Sequence, residues 1–242
     1  MLTPDQVFYW SIHDNEVIKV FEGHTTEIIS LNMNPADDSF VSVSKNAELK
    51  VFDLGSEFSS PEAELTLGEP GYNLTANFDI TGVVLAVSVF KKEAEKGLNR
   101  IDLYDVKKFQ EDECRFASWR VDHIPEILMI KFSNSESYML LATVQNKVIV
   151  LDAFKGELVA EFSGFVNQSH SLLEASFTPD SRFVLGGSDD GTVFIWDIEK
   201  RMEVAKLEGH IKPSKHVKFS PTHAMMATAC QNVLFWIPKF VE

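Results

Sequence analysis

Cysteine is scarce in this 242-residue chain: Cys114 and Cys230 are the only two. Two thiols are too few for a disulfide framework. The opening residues, MLTPDQVF, carry neither a basic-then-apolar leader nor a lipidation motif, so both thiols are expected to be reduced, in the cytosol or nucleus. The sequons at Asn73 and Asn167 then carry no weight. No apolar run reaches transmembrane length. Basic residues are also in deficit. Lys and Arg number 22 against 36 Asp and Glu, a formal charge of −14. Such a surface repels phosphate backbones, which argues against direct nucleic-acid binding and leaves basic protein partners open. Helical periodicity is absent from every long stretch. What remains is 45% hydrophobic and 24% charged, the balance of a globular protein with a sizeable core.

The chain repeats itself. An aromatic residue or Met, then a turn, then an apolar strand recurs as MNPADDSFVSVS from Met33, FDITGVVLAVS from Phe78, FSNSESYMLLAT from Phe132, FTPDSRFVLGGS from Phe177 and FSPTHAMMATA from Phe219. The spacings are 45, 54, 45 and 42 residues, the long one containing the charged insertion KKEAEKGLN at 91–99. A second phrase follows each copy: LKVFDL (49–54), IDLYDV (101–106), VIVLDA (148–153), VFIWDI (193–198) and VLFWIP (233–238). Alternating apolar and polar residues between turn formers predict strands. Four short strands in each repeat of this length are the mark of a propeller. A generic β-sandwich would not keep five copies in register.

The Gly-His pairs at 23–24 and 209–210, SDDGT at 188–192 and Trp-Asp at 196–197 resemble WD-repeat propellers. SIHDNEVIKVFEGH (11–24), DAFKGELVAEFSGF (152–165), LEASFTPDSRFVLGGSDDG (173–191) and FWIPKF (235–240) narrow the resemblance to the WD repeat-containing protein 82 group. That group supplies the propeller subunit of COMPASS-type histone methyltransferase complexes. The resemblance implies an all-β WD-repeat β-propeller, seven-bladed in the family. VFYWSI (7–12) then reads as the third strand of a repeat. The chain is therefore expected to open mid-repeat, as one N-terminally incomplete domain over 1–242 with about five complete repeats and an N-terminal fragment.

In WD repeats a His, a Ser or Thr, an Asp and a Trp can form one hydrogen-bonded chain inside a blade. Asp accepts from His, His meets the hydroxyl, and the indole N–H donates to it. Here Ser188, Asp190 and Trp196 match three members, with Phe165 after Gly164 where His would stand. His24 and Ser44 match two, with Asn46 and Phe52 in place of Asp and Trp. His210 and Trp236 match two, with Thr228 as the candidate hydroxyl. Scattered partial sets of this kind are fold machinery, whereas a catalytic triad needs one complete, solvent-facing set.

Other candidates for chemistry have plainer readings. His210, His216 and His223 fall on different strands and loops, and no CxxC, HExxH or Asp-rich metal loop occurs, so no metal or cofactor is expected. GGSDDG sits between two strands, with no helix to present amides to a phosphate. Asp37–Asp38 and Asp189–Asp190 are turn residues rather than a carboxylate dyad. Cys114, in EDECRF, has an acidic setting that disfavours a thiolate. FKKEAEKGLNR (90–100) reads equally as a partner-binding loop or a solvated one. FSGFVNQSH (162–170) offers Phe165, Asn167, Gln168 and His170 as a candidate partner-binding set, the alternative being that Phe165 packs inward.

No active site assembles from these residues, so the expectation is a non-enzymatic scaffold. The resemblance implies a nuclear subunit of a COMPASS-type complex that methylates histone H3 on lysine. In the family the propeller docks the amino-terminal region of the methyltransferase and couples to the phosphorylated RNA polymerase II tail. It also implies a place in protein phosphatase 1 or transcript 3′-end processing complexes. A ubiquitin-ligase substrate adaptor would need an F-box or similar segment, which is not seen.

Overall fold

The computed structural model describes residues 4–69, 72–91, 98–109, 111, 114–121 and 123–238. The sequence sorts into two compact units, residues 1–123 and 124–242. Each is a series of up-and-down antiparallel sheets.

The first unit opens with a two-stranded sheet, β1 (Val7–Ser11) and β2 (Glu16–Phe21). A four-stranded meander follows: β3 (Ile28–Met33), β4 (Ser39–Ser44), β5 (Glu48–Asp53) and β6 (Ala63–Thr66). A second comprises β7 (Asn73–Phe78), β8 (Val84–Lys91), β9 (Leu98–Asp105) and β10 (Arg115–Arg120). Most of the charged insertion, residues 92–97, lies outside the described residues. Helix among the described residues is confined to one 3₁₀ turn, Val106–Lys108.

The second unit holds two more four-stranded meanders. One is β11 (Ile127–Phe132), β12 (Tyr138–Thr143), β13 (Val148–Asp152) and β14 (Leu158–Phe162). The other is β15 (Ala175–Phe177), β16 (Phe183–Gly187), β17 (Val193–Asp197) and β18 (Met202–Leu207). Its last sheet has three strands among the described residues: β19 (His216–Phe219), β20 (Met226–Ala229) and β21 (Val233–Trp236). Both recurring phrases land as read: the first spans the turn and second strand of each sheet, the second forms its third strand.

The sequence pattern follows from burial. The middle strands β4, β8, β12 and β16 are covered on both faces; β8 and β12 are apolar almost throughout, as in VLAVSV and MLLAT, while β4, SFVSVS, buries two serines among its apolar residues. Outer strands such as β3 and β10 alternate half-buried and exposed positions. Leu49, Leu85 and Val87 anchor the core of the first unit, and Leu140, Val150, Val184 and Trp196 that of the second. Burying each such aliphatic side chain contributes roughly 1.5–3 kcal/mol.

The Asp that ends β5, β9, β13 and β17 is a turn cap. Asp152 Oδ1 accepts from the amides of Phe154 and Lys155, both at 2.9 Å, which sets the DAFKG turn. Asp53 accepts from Gly55 N at 2.8 Å, Asp105 from Lys107 N at 3.1 Å and Asp197 from Lys200 N at 3.0 Å. A short side-chain acceptor that satisfies amides two or three residues ahead is what such a turn requires.

Neighbouring sheets within a unit are stapled at a repeated position, the residue before the aromatic or Met that opens each repeat. Asn32 Nδ2 donates to Ala76 O at 2.6 Å, and Lys131 Nζ donates to Ala175 O at 2.8 Å. At Gly82, with φ of +70°, a Cβ would lie 1.9 Å from Asn34 Oδ1, so the turn it occupies leaves room only for glycine.

Candidate functional site

The blade networks differ from sheet to sheet. In the last sheet His210 Nε2 lies 2.7 Å from Thr228 Oγ1, and Trp236 Nε1 donates to the same oxygen at 2.8 Å. His210 Nδ1 sits 3.1 Å from Cys230 Sγ. Because the indole is donor-only, the Thr228 hydroxyl accepts from it and is free to donate its proton to Nε2, which leaves Nδ1–H for the sulfur. Gly209 makes this packing possible, since a Cβ there would lie 2.9 Å from the Trp236 ring. Burial lowers the His210 pKa and favours the neutral ring this arrangement needs.

Beside β4 the chain shrinks to a pair. His24 Nε2 meets Ser42 Oγ at 2.6 Å in a buried setting. The Trp position holds Phe52, which has no N–H to donate, and its ring centroid is 6.5 Å from that of His24. Burial, followed by the Lys50 ammonium, lowers the His24 pKa. The expected hydroxyl, Ser44, is not the partner. It donates to Asn46 Oδ1, which also accepts from Thr26 Oγ1 at 3.1 Å, so Ser44 belongs to the turn.

In the sheet of β15–β18 no polar chain forms from the expected members. Trp196 stacks on Phe194 and Phe162 at centroid distances of 5.6 and 5.4 Å, and Phe165 meets its ring edge-on at 5.9 Å. The position that carries Ser42 and Thr228 in the other sheets is Gly186, where a Cβ would lie 2.8 Å from the indole. The expected Ser188 is buried, but its Oγ accepts from Val166 N at 3.0 Å and serves the loop. Asp190 is an exposed turn residue that accepts from Thr192 N at 2.9 Å. Partial burial raises its pKa, but the hydrogen bonds from the Thr192 amide and the Ser188 hydroxyl outweigh this and leave it below the usual carboxylate range. Gly191 closes the turn at φ +87°, and a Cβ there would strike His210 O at 2.2 Å.

In the 162–170 segment the structure follows the second of the two readings, with Phe165 packed inward. Phe165 is 4% exposed and fills the space of the absent His. Asn167 is also buried, its Nδ2 donating to Ser171 O at 3.1 Å and Val144 O at 3.4 Å. Asp189 holds the loop down, accepting from Ser169 N at 2.9 Å and Ser169 Oγ at 3.0 Å. Gln168 and His170 are the two members left at the surface, His170 with a positive φ of 48°. The signal for the correct hydroxyls was present in the sequence. Laid in register, VSVSKN, LGGSDD and ATACQN place Ser42, Gly186 and Thr228 in one column and Ser44, Ser188 and Cys230 in the next.

Among the described residues no group of three His, Cys, Asp or Glu side chains is placed to hold a metal, and no helix is long and apolar enough to cross a membrane. Both cysteines are free thiols; Cys114 is buried, which raises its pKa.

Comparison with known proteins meets this geometry. The model of the WD domain, G-beta repeat, matches residues 15–53 and 156–197, the first bracketing the His24–Ser42 pair and the second the aromatic blade. WD repeat-containing protein 82 of Drosophila melanogaster is 34% identical over 98% of this chain and 72% of its own length. Protein ANTHESIS POMOTING FACTOR 1 of Arabidopsis thaliana is 35% identical over 98% of this chain and 68% of its length. COMPASS component SWD2 of Saccharomyces cerevisiae is 28% identical over 95% and 70%. With repeated four-stranded meanders, Asp-capped turns and blade His–hydroxyl pairs, the chain belongs to the WD-repeat β-propeller family that includes WD repeat-containing protein 82.

Proposed function

We propose that this chain acts as one WD-repeat domain and serves as a non-catalytic scaffold subunit of a nuclear Set1/COMPASS-type histone H3 lysine methyltransferase complex. The observation that carries the reading is similarity over 98% and 95% of this chain to two proteins at once: WD repeat-containing protein 82, and a protein whose name makes it a component of COMPASS. A relative named Set1 complex component swd2, from Schizosaccharomyces pombe, is 28% identical over 76% of this chain and half of its own length. The arrangement of polar groups supports a scaffold rather than an enzyme. The His–hydroxyl pairs are spent inside blades, and the turn carboxylates are spent on amides. In this reading the chain docks the amino-terminal region of the methyltransferase and links it to the phosphorylated tail of transcribing RNA polymerase II.

Affinity purification of the tagged chain from its own cells, followed by mass spectrometry, tests this. Set1-type methyltransferase subunits are expected in the eluate, with polymerase subunits lost on phosphatase treatment. Recovery of protein phosphatase 1 or 3′-end processing subunits without the methyltransferase would reassign the complex. Recovery of cullins in their place would overturn the reading.

A further inference from the structure

The acidic charge of the chain is unevenly placed. Between Glu208 and Glu242 there is no Asp or Glu at all, although the whole chain has 36. Lys212, Lys215 and Lys218 fall in this stretch, and β19 carries His216 and Lys218 two residues apart, hence on one face, with Val217 buried on the other.

That face builds a cluster with one anion. The Glu174 carboxylate is 2.7 Å from Lys131 Nζ, 2.7 Å from Lys218 Nζ and 3.4 Å from His216 Nδ1. Glu174 itself is 8% exposed, and its amide is fixed by donating to Lys215 O at 2.9 Å. Two ammonium groups thus share one buried carboxylate, leaving a net charge of +1 with the His216 ring beside it. The side chains of Lys218 and His216 are each 66% exposed, so the excess faces solvent. Their anionic partner among the described residues, Glu174, is already shared with Lys131.

We propose that the Lys131–His216–Lys218 surface docks a carboxylate-rich peptide segment of a partner protein, whose acidic side chains supply the anion that Glu174 alone does not. The proposal rests on the reading of the chain as a docking subunit and names one of its surfaces. Burial pushes the Lys131 ammonium down to about 8, and Glu174, which favours the charged form, only partly offsets this. A second carboxylate restores the balance. A long nucleic-acid polyanion is a poorer fit, because the rest of a chain of net charge −14 repels it. Salt screens contacts of this exposed kind, so the affinity should fall as ionic strength rises.

The test is fluorescence anisotropy on the purified full chain with a short labelled glutamate-rich peptide, at low and moderate salt. Binding is expected to weaken by about tenfold or more in Lys218→Glu with His216→Gln. Because a new carboxylate beside Glu174 could unfold the sheet, the milder Lys218→Gln is measured alongside and should weaken binding with an unchanged melting temperature. Lys155→Glu, an exposed charge-matched change in the 152–156 turn, should bind as the parent does. Absence of binding by the parent chain overturns the proposal. So does an equal loss in Lys155→Glu, or equal affinity for a single-stranded DNA of the same charge. The peptide measurement does not depend on which complex the chain enters, so its failure is distinct from failure of the affinity purification.

Discussion

The sheets β15–β18 and β19–β21 are neighbours in sequence, yet they solve one packing problem by opposite chemistry. In the last sheet a Trp is tied down by an imidazole and a hydroxyl, with distances of 2.7 and 2.8 Å meeting at Thr228. In its neighbour the imidazole is Phe165, the hydroxyl is Gly186, and the Trp is held by three phenyl rings. The substitutions are coupled. Removing the hydroxyl leaves an imidazole without a partner, which costs about 1–3 kcal/mol when buried, so His gives way to Phe. Removing the Cβ lets the indole settle against the β16 backbone. Trp196 is accordingly 1% exposed, whereas Trp236 is half-buried on the rim of an open apolar hollow of about 750 Å³ lined also by Phe183, Ile195, Phe219 and Met226. These two sheets therefore both pack a Trp at the same place, one through hydrogen bonds and the other through ring contacts.

The largest expected contrast follows directly. Trp196→Ala should destabilise by about 3–5 kcal/mol, as for a fully buried aromatic. Trp236→Ala should cost about 2 kcal/mol, because less surface returns to water. Urea denaturation of the two variants measures both. Equal losses would break the distinction between an apolar and a polar blade. Gly186→Ser comes next, at about 1–3 kcal/mol, since its Cβ would lie 2.8 Å from the indole and force the ring to move. If Gly186→Ser were neutral, the glycine would not be what allows the stack.

Thr228→Val keeps the shape of the polar blade and deletes its hinge atom. Trp236 Nε1 and His210 Nε2 both lose their partner, for about 1–2 kcal/mol. The double change Thr228→Gly with His210→Phe imitates the neighbouring sheet. If the two chemistries are interchangeable, its loss should be smaller than the sum of the single losses, and thermal melting of the four proteins gives the coupling.

The repeats were legible in the sequence because period-two alternation and Asp-ended third strands are local signals. Asp152 and Asp197 cap turns through atoms two or three residues away, and no distant residue has to be known. The blade networks were less legible because a strand places residues i and i+2 on one face. Ser42 and Ser44 therefore look alike from periodicity, as do Gly186 and Ser188. What separates them is where the incoming Gly-His segment crosses the sheet, a contact between residues 18 apart. A glycine also carries no sign of a lost function until it is laid in register with Thr228. Phe165 was open to two readings for a related reason. An aromatic among polar loop residues has the composition of an interface, and only the presence of Trp196 5.9 Å away shows that the ring has an interior partner.

The smallest effect is a titration that only the polar sheets can show. Burial lowers the pKa of His24, with Lys50 adding to the effect, and burial alone lowers that of His210. The aromatic blade has Phe165 at the matching place and nothing there to protonate. In an unfolded chain each imidazole titrates near 6.5. Between that value and the lower folded one, the unfolded state binds more protons, so stability is full above about 6.5 and declines as the pH falls through the window. The decline ends once the folded rings are protonated too. Histidine NMR resonances of the folded chain should give midpoints for His24 and His210 below 6.5, with the larger displacement at the more buried His24. Replacing His24 by Phe should flatten the acid side of the stability profile even if it lowers stability at neutral pH through the orphaned Ser42 hydroxyl. A His24 midpoint at or above 6.5 would mean that burial does not favour its neutral ring, and the acid-side loss of stability assigned to it would be wrong.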